Sequence, residues 1–362
     1  MIRIFLFWRL GLFLLTYLGS KILPLTANSG LGAVDLNKAF DYWYSWAQWD
    51  GGHFYNLANK GYVLVSDYAF FPLYPLLINI FSLFFFGNLL IAGLVISNIS
   101  FLLFLLLFQN LLKKMYSSKI AFNATVTFLL FPTSFYAVSF YSESLFLLLV
   151  VVCFYFLKDK KFLLAAIFAS IASLARNMGI FLAISIIYSY FSNIKFEFTR
   201  LDIRFLRVFV AFLGIIIFGL YSYAQSSNPL QFITAQSSWQ RSIQDPVSTI
   251  IGNIWIIITN SNTPLGQYTD LLITLIFLAL LIFGIKKIPS SWWIFSMLVI
   301  LIPASTGTLA SMPRYLLASL GVFIILGKLL EEKQYLKVPI WTVSLFLQVI
   351  IAVLFINGNW VA

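Results

Sequence analysis

The sequence predicts an all-α polytopic membrane protein with about eleven transmembrane helices and a large first outer loop carrying short interfacial helices. Hydrophobic residues make up 61% of the 362 positions, charged residues only 10%, and the mean hydropathy is +0.94. Soluble proteins are about 45–50% apolar and about 25% charged. This composition excludes a soluble enzyme, a disordered protein and a nucleic-acid-binding domain, although the isoelectric point is about 9.6.

Eleven apolar runs are candidate membrane spans. They are residues 4–23, 89–112, 120–137, 143–157, 161–175, 178–193, 206–225, 268–285, 291–304, 314–329 and 338–356. With the first residue inside, 17 of the 23 Lys and Arg residues lie at inner ends, as cytoplasmic loops require. The net charge of +11 therefore reflects membrane topology and not a nucleic-acid partner. We expect one integral-membrane domain over residues 1–362, with outer loops at about 21–70 and 226–267.

The apolar run at residues 72–86 is expected to be a short helix at the outer interface. Pro72 and Pro75 suit a helix start better than the middle of a span. From Pro75 to Phe86 the helix would measure about 18 Å, too short for a hydrocarbon core of about 30 Å. Counting the run as a span would also invert every later loop.

The first outer loop contains the segment WDGGHFYNLANKGY at residues 49–62. Asp50 precedes Gly51 and Gly52, so we expect its carboxylate in a turn where the backbone can approach a ligand. Apolar residues then recur at helical spacing and predict a short amphipathic helix: Phe54, Leu57, Ala58 and Tyr62. A carboxylate in a poorly hydrated site suits a general base. The alternative is a solvated loop aspartate or a helix N-cap.

Three tryptophans of the same loop have two interpretations. Trp43, Trp46 and Trp49 form either an aromatic belt at the membrane surface or part of a binding site.

Five segments, in order, resemble one mannosyltransferase family, the one typified by the second mannosyltransferase of GPI-anchor assembly (phosphatidylinositol glycan class V). They are WDGGHFYNLANKGY at 49–62, AFFPLYPLL at 69–77, FYSESLFLLL at 140–149, SLARNMG at 173–179 and SMPRYLL at 311–317. The resemblance implies a GT-C-like fold and an inverting transfer of a hexose, most simply mannose, from a polyprenyl- or dolichyl-phosphate donor. The acceptor would be a lipid-linked or cell-envelope glycan, and membrane lipids are the surroundings.

By position in the motif, the resemblance implies that Asp50 is the catalytic base. Within ten residues of Asp50, hydrogen-bond donors are supplied by His53, Tyr55 and Lys60. Together with Trp49 and Tyr315, these are the candidate substrate-binding residues. The phosphate that leaves the sugar needs positive charge, and arginine pairs with phosphate through two hydrogen bonds. Arg314, Arg176 and Arg241 are the candidates for this role. Arginines that snorkel to the membrane surface or form salt bridges are the alternative.

Glu143 is the second candidate catalytic residue, because it opens a span on the outer side and could orient the acceptor or pair with an arginine. Alternatively, Ser142 or Ser144 caps that helix and Glu143 complements the helix dipole. The chain has one cysteine and one histidine and no DxD pair. We therefore expect no required metal or cofactor, with the lipid-phosphate sugar as co-substrate.

A transporter or flippase without transferase chemistry is the competing class, since it would share the composition and the membrane-embedded arginines. A lipid-sugar-binding subunit of another enzyme is a third, because the eukaryotic family needs a membrane partner. The short chain favours a bacterial relative, and thus the bacterial plasma membrane over the endoplasmic reticulum, with the active site outside.

The topology is testable with single cysteines. A cysteine at position 160 should resist an impermeant thiol reagent added from outside, whereas Lys38→Cys should react, because the charge asymmetry puts these positions on opposite sides. The measurement is mass-tag labelling of intact cells. The opposite labelling pattern would contradict the orientation.

Overall fold

The computed structural model describes residues 1–28, 40–260 and 262–361. Lys38 and Asp35 lie outside the described residues. The described part of the chain folds into helices and contains no strand. Its α-helices are α1 (Ile2–Ile22), α2 (Asp50–Lys60), α3 (Leu73–Ser82), α4 (Leu89–Met115), α5 (Ser118–Leu129), α6 (Glu143–Lys158), α7 (Phe162–Ala175), α8 (Leu182–Asn193), α9 (Leu213–Ser226), α10 (Gln231–Thr234), α11 (Pro246–Thr259), α12 (Leu265–Phe283), α13 (Ser290–Ala304), α14 (Met312–Tyr315), α15 (Leu320–Glu332) and α16 (Lys337–Ile356).

Five helical segments of the described chain are long and apolar enough to cross a membrane. They are Ile2–Ile22, Leu89–Met115, Ile203–Ser226, Leu265–Phe283 and Gln334–Ile356. Each of the other predicted spans contains a shorter helix, such as the 14 residues of α7 or the 15 residues of α13. The all-helical membrane architecture is confirmed, and the count of eleven spans stays a prediction.

The predicted span at 314–329 is not one straight helix. Met312–Ala318 and Leu320–Glu332 meet at an angle of 79°. Ser319, between them, has a ψ of 61°, which interrupts the helical hydrogen bonds. Ser296 replaces part of that bonding, because its Oγ accepts from the Gly321 N–H at 2.9 Å and its carbonyl accepts from the Ser319 hydroxyl at 3.2 Å.

The run at 72–86 forms the short helix that the prolines predict. Pro72 is the N-cap of α3, and a 3₁₀ turn over Leu83–Phe85 completes an apolar helix of 13 residues. Its length, about 20 Å, is well below the thickness of a hydrocarbon core.

The region predicted as the second outer loop, about 226–267, contains a helix that the sequence interpretation missed. The 14-residue α11 begins after Asp245, whose carboxylate accepts a 2.7 Å hydrogen bond from the Ser248 N–H. Asp245 followed by Pro246 is an N-cap and first-turn signal that could have located this helix.

The described residues form two compact units. The first unit comprises Met1–Val63, Pro72–Leu148 and Leu326–Val361, and the second comprises Leu64–Phe71 and Leu149–Ile325. The single domain expected from the sequence stays a prediction. In the first unit, Gln348 of α16 ties three segments together: Trp8 donates to its carbonyl at 2.7 Å, and its amide donates to the carbonyls of Leu129 and Phe131. In the second unit, Phe154 stacks on Trp292 with ring centroids 4.0 Å apart.

Arg9, expected at the inner end of the first span, instead points into the first unit. Its Nε donates to the Asn98 carbonyl at 2.9 Å, and its guanidinium lies 4.8 Å from the centroid of the Trp46 ring. The face of α1 that carries Phe5 and Leu12 is buried, which draws the neighbouring Arg9 inward.

The tight packing of α4 against the 140–141 segment predicts a specific stability loss. A Cβ on Gly93 would overlap the Phe140 ring, whereas a Cβ on Gly252 would meet open space. Gly93→Ala should therefore destabilise the protein by about 1–3 kcal/mol. Gly252→Ala, in the middle of α11, is the matched control and should be neutral or mildly stabilising. The thermal unfolding midpoint in detergent measures both, and equal midpoints would contradict the packing.

Candidate active site

In the first unit, α2 begins at Asp50, and the residue before it, Trp49, is the N-cap. Asp50 is half-buried and is the first helical residue, so the alternative that it is the N-cap is wrong. Gly51 and Gly52 lie inside the first turn and are buried, not in a loop as expected. A carboxylate in this turn is favoured by the helix dipole. Burial of three apolar side chains confirms the predicted amphipathic helix: Phe54, Leu57 and Ala58. The placement of Tyr62 on this helix is wrong, because α2 ends at Lys60.

The start of α2 is held against the FYSES segment. The Phe140 N–H donates to the Trp46 carbonyl at 2.9 Å, and the Tyr141 hydroxyl donates to the Gln48 carbonyl at 2.7 Å. A Cβ on Gly51 would lie 3.2 Å from the Phe140 carbonyl oxygen. This contact is tighter than most Cβ contacts, so the close approach favours glycine after Asp50.

The FFPLYP segment reaches the same cluster through Tyr74 of α3. The Phe54 ring packs edge-on against Tyr74 at 5.2 Å and contacts Tyr141 at 6.4 Å. The Tyr74 hydroxyl lies 2.7 Å from the Ser97 hydroxyl and donates to the Gly93 carbonyl at 3.0 Å. Three of the five motifs therefore meet in one part of the first unit.

Glu143 belongs to this cluster. It is the first residue of α6, only 4% of its surface is exposed, and its charge acts on the Tyr74 hydroxyl. The neighbouring Ser142 and Ser144 are also buried, and capping by either of them stays open. Glu143 is therefore a buried carboxylate in the segment whose Phe140 and Tyr141 bond to the residues before α2.

The remaining candidates of this segment lie at different distances from Asp50. His53 and Tyr55 are half-buried in the next turn. The ring centroids of Tyr55 and Phe140 lie 6.1 Å apart. Tyr55 also forms a hydrogen bond with Tyr44, and this bond together with partial burial raises the pKa of Tyr44. Lys60 is exposed at the other end of α2, ten residues or about 15 Å from Asp50, so the helix does not bring them together.

The three tryptophans do not form a single belt. Trp46 is fully buried beside Arg9, which excludes it from the membrane surface. Trp43 is half exposed and stacks on Phe13 of α1 at 5.6 Å, as a belt residue would. Trp49 packs against Trp360, with ring centroids 5.0 Å apart.

In the second unit, three arginines surround one aromatic ring. The guanidinium carbons of Arg176, Arg241 and Arg314 lie 5.6, 5.4 and 5.5 Å from the centroid of the Tyr315 ring. These distances permit cation–π attraction, which partly offsets the repulsion between the like charges. The structure thus brings together the three arginines and the tyrosine that the sequence singled out one by one.

Breaks in the helices bring these side chains together. Arg176 lies in extended backbone between α7 and a 3₁₀ turn, and Ser311, which precedes α14, has a φ of 70°. Arg241 reaches the same region through a 3.1 Å hydrogen bond from its Nη2 to the Ala310 carbonyl. Because α14 is only four residues long, its dipole adds little to the charge of Arg314.

Asp270 is the member of this cluster that the sequence interpretation missed. It is buried on α12, its carboxylate accepts a hydrogen bond from the Ser311 N–H, and the charge of Arg241 acts on it. An isolated carboxylate inside the apolar run 268–285 was the available signal. Asp270 therefore connects the backbone before α14 with one of the arginines.

Among the described residues, no group of three or more His, Cys, Asp or Glu side chains could hold a metal ion. The expectation that the protein requires no metal stays a prediction.

The sequence profile of the family described as mannosyltransferase (PIG-V) matches residues 2–356. The chain belongs to this family. The match spans all five motifs, so the resemblance drawn from them is confirmed. A search of the curated proteins found no match to this chain.

Two crystal structures of ArnT from Cupriavidus metallidurans share the fold of this PIG-V family member. The undecaprenyl-phosphate-bound and apo structures each have a TM-score of 0.55 and 12% identity, and the matches cover 90% and 92% of this chain. The chain spans about 60% of the length of ArnT. An Archaeoglobus fulgidus oligosaccharyltransferase in complex with Zn and sulfate matches with a TM-score of 0.44, 11% identity and coverages of 97% and 53%. The GT-C-like fold of an integral membrane protein is confirmed.

Proposed function

We propose that this protein is a membrane glycosyltransferase that transfers a hexose, mannose by family, from a polyprenyl-phosphate donor to a lipid-linked or cell-envelope glycan. The PIG-V family match over residues 2–356 supports the reaction class. The observation that carries the proposal is the convergence of Arg176, Arg241 and Arg314 on Tyr315. A cluster of buried or half-buried positive charge in an apolar protein calls for an anionic ligand.

The arginine cluster suits the phosphate of such a donor. When the sugar leaves, the polyprenyl phosphate gains negative charge, and several guanidiniums can stabilise that charge through bidentate hydrogen bonds. ArnT, which shares the fold, has been crystallised with undecaprenyl phosphate, a lipid of this class. Tyr315 would hold the guanidiniums in position, and Asp270 would orient Arg241.

The first unit supplies the general base in this proposal. The oxygen of the acceptor hydroxyl attacks the anomeric carbon while Asp50 takes the proton of that hydroxyl. At the same time, the bond from the anomeric carbon to the phosphate oxygen breaks. The configuration at the anomeric carbon is inverted, and the proton ends on the Asp50 carboxylate. Glu143, His53 and Tyr55 would orient the acceptor. Asp50 is half-buried in the first turn of α2, so its carboxylate is partly shielded from solvent, and this position supports the proposed role.

The donor also suggests where the reaction occurs. A polyprenyl phosphate resides in the bilayer. The distribution of basic residues supports an outer position for the loop that contains Asp50. We infer that the membrane is the bacterial plasma membrane. A small membrane subunit is a further proposed partner. The direct test supplies radiolabelled polyprenyl-phosphate mannose to the purified protein in liposomes and identifies the labelled product. Movement of intact donor across the bilayer without transfer would favour a flippase.

Arg314→Lys should weaken the use of the donor although it preserves the charge, because lysine cannot form the bidentate contact. We expect the KM for the donor to rise by about tenfold or more, corresponding to about 1.4 kcal/mol. Arg200→Lys is the matched control, since Arg200 is exposed and pairs with Glu197 at 2.6 Å. Initial rates across donor concentrations provide the measurement. Identical kinetics for the two variants would give Arg314 a structural role only.

Asp50→Asn should lower the transfer rate by about 10²–10⁴-fold, as loss of a general base does, while donor binding is retained. Asparagine keeps the shape of the side chain but cannot take a proton at neutral pH. Loss of the dipole interaction alone would cost only about 0.3–1 kcal/mol of stability. Transfer rates and equilibrium binding of the donor measure the two effects separately.

Asp41→Asn is the control for this variant. Asp41 lies in the same loop, is exposed, and accepts hydrogen bonds from the Trp43 and Tyr44 N–H groups at 2.8 and 3.2 Å. Asparagine caps about as well as aspartate, so the rate should hardly change. An active Asp50→Asn enzyme combined with an inactive Asp41→Asn enzyme would reverse the assignment of the base.

A further inference from the structure

Trp49, the residue directly before Asp50, has a backbone conformation that bulky residues rarely adopt. Its φ is 55° and its ψ is −119°. Such a conformation persists only when surrounding contacts hold it, and residues of this kind cluster at functional sites. Because Asp50 is the next residue, the Trp49 backbone sets the direction in which α2, and the Asp50 carboxylate with it, leaves the loop.

Part of the restraint comes from the motif cluster already described. The Gln48 carbonyl accepts from the Tyr141 hydroxyl at 2.7 Å and from the Gly51 N–H at 3.0 Å. The Gly52 N–H donates to the Trp49 carbonyl at 3.0 Å. These bonds hold the backbone on both sides of Trp49.

The other part comes from residues 357–360, the segment that follows α16 and that none of the five motifs contains. The Trp49 indole N–H donates to the Asn359 carbonyl at 3.2 Å, and its ring packs edge-on against Trp360 at 5.0 Å and 81°. The Asn28 amide donates to the Gln48 side chain at 3.0 Å and to the Gly358 carbonyl at 3.3 Å. The Thr26 N–H donates to the Asn357 carbonyl at 2.8 Å.

We infer that residues 357–360 are positioning residues, which hold Trp49 in its unusual conformation and thereby set the position of the Asp50 carboxylate. This inference rests on the proposed role of Asp50. It also changes the role expected for Trp49, because the indole N–H that a sugar hydroxyl would use is engaged by Asn359. Trp49 is then a positioning residue as well.

A role in folding alone would not explain Trp360. Its side chain is 50% exposed, so it contributes little to the core. The helix before it is anchored independently through Gln348, which bonds to Trp8, Leu129 and Phe131. Its ring packs edge-on against that of Trp49, next to Asp50.

The test compares Trp360→Ala with Trp360→Phe and with the control Trp255→Ala. Trp255 lies on α11 and is 62% exposed, so the control removes a comparably exposed indole far along the chain from Asp50. We expect Trp360→Ala to lower kcat by about 10–100-fold, as small displacements of reacting groups do, with the KM for the donor unchanged. Phenylalanine should restore most of the rate because it keeps the ring contact with Trp49. Trp255→Ala should match the parent.

Hydrogen–deuterium exchange provides a readout that does not depend on activity. Peptides covering residues 48–54 should exchange faster in Trp360→Ala than in the parent or in Trp255→Ala. Unchanged exchange and an unchanged kcat would overturn the inference. If the parent protein transfers no sugar, the proposed function fails, while the exchange comparison still decides whether residues 357–360 hold this turn.

Trp49→Phe keeps an aromatic ring at this position and removes the indole N–H that donates to Asn359. It guards against a Trp360→Ala protein that does not fold. It should also speed the exchange of residues 48–54, by about 2–12-fold if that bond contributes a typical 0.5–1.5 kcal/mol. Exchange equal to the parent in this variant would contradict the inference.

Discussion

The candidate base owes its position to two hydrogen bonds between the first loop and the FYSES segment. The Phe140 N–H donates to the Trp46 carbonyl, and the Tyr141 hydroxyl donates to the Gln48 carbonyl. Backbone groups buried away from water must be paired, and the four-residue 3₁₀ turn Tyr44–Ala47 before Asp50 is too short to pair all of them. The two bonds therefore do more than join segments. They draw α2 so close to Phe140 that a side chain at position 51 would be crowded, which favours glycine after Asp50.

Positive charge in the second unit is held by a different balance. Three guanidiniums around one ring repel each other, and burial makes this repulsion stronger than it would be in water. The Tyr315 ring and the Asp270 carboxylate offset part of it. One carboxylate against three guanidiniums leaves an excess of positive charge in this cluster. Such a preorganised site can stabilise a phosphate without rearranging during the reaction.

Sequence reasoning found most members of both clusters but not their connections. Arg176 and Arg314 were selected because a charge at the end of a span is unusual, and Arg241 because it is a basic residue of the second loop. No local pattern indicated that the three share Tyr315. Asp270 was missed because it is a single carboxylate in the otherwise apolar run 268–285. Arg9 was assigned to the inner end of α1 from its positive charge alone. The sequence did not show that its side chain contacts Asn98 and Trp46.

By itself, the sequence determined the membrane class, the family, the amphipathic α2 and the short helix after Pro72. These properties depend on composition, helical periodicity and contiguous motifs, all of which are local. Only the tertiary structure decided the 79° bend before α15, the conformation of Trp49 and the contact of Trp49 with residues 357–360. The reason is distance along the chain. The bond from Trp49 to Asn359 joins residues 310 positions apart, and such pairings arise only when the helices between them have packed.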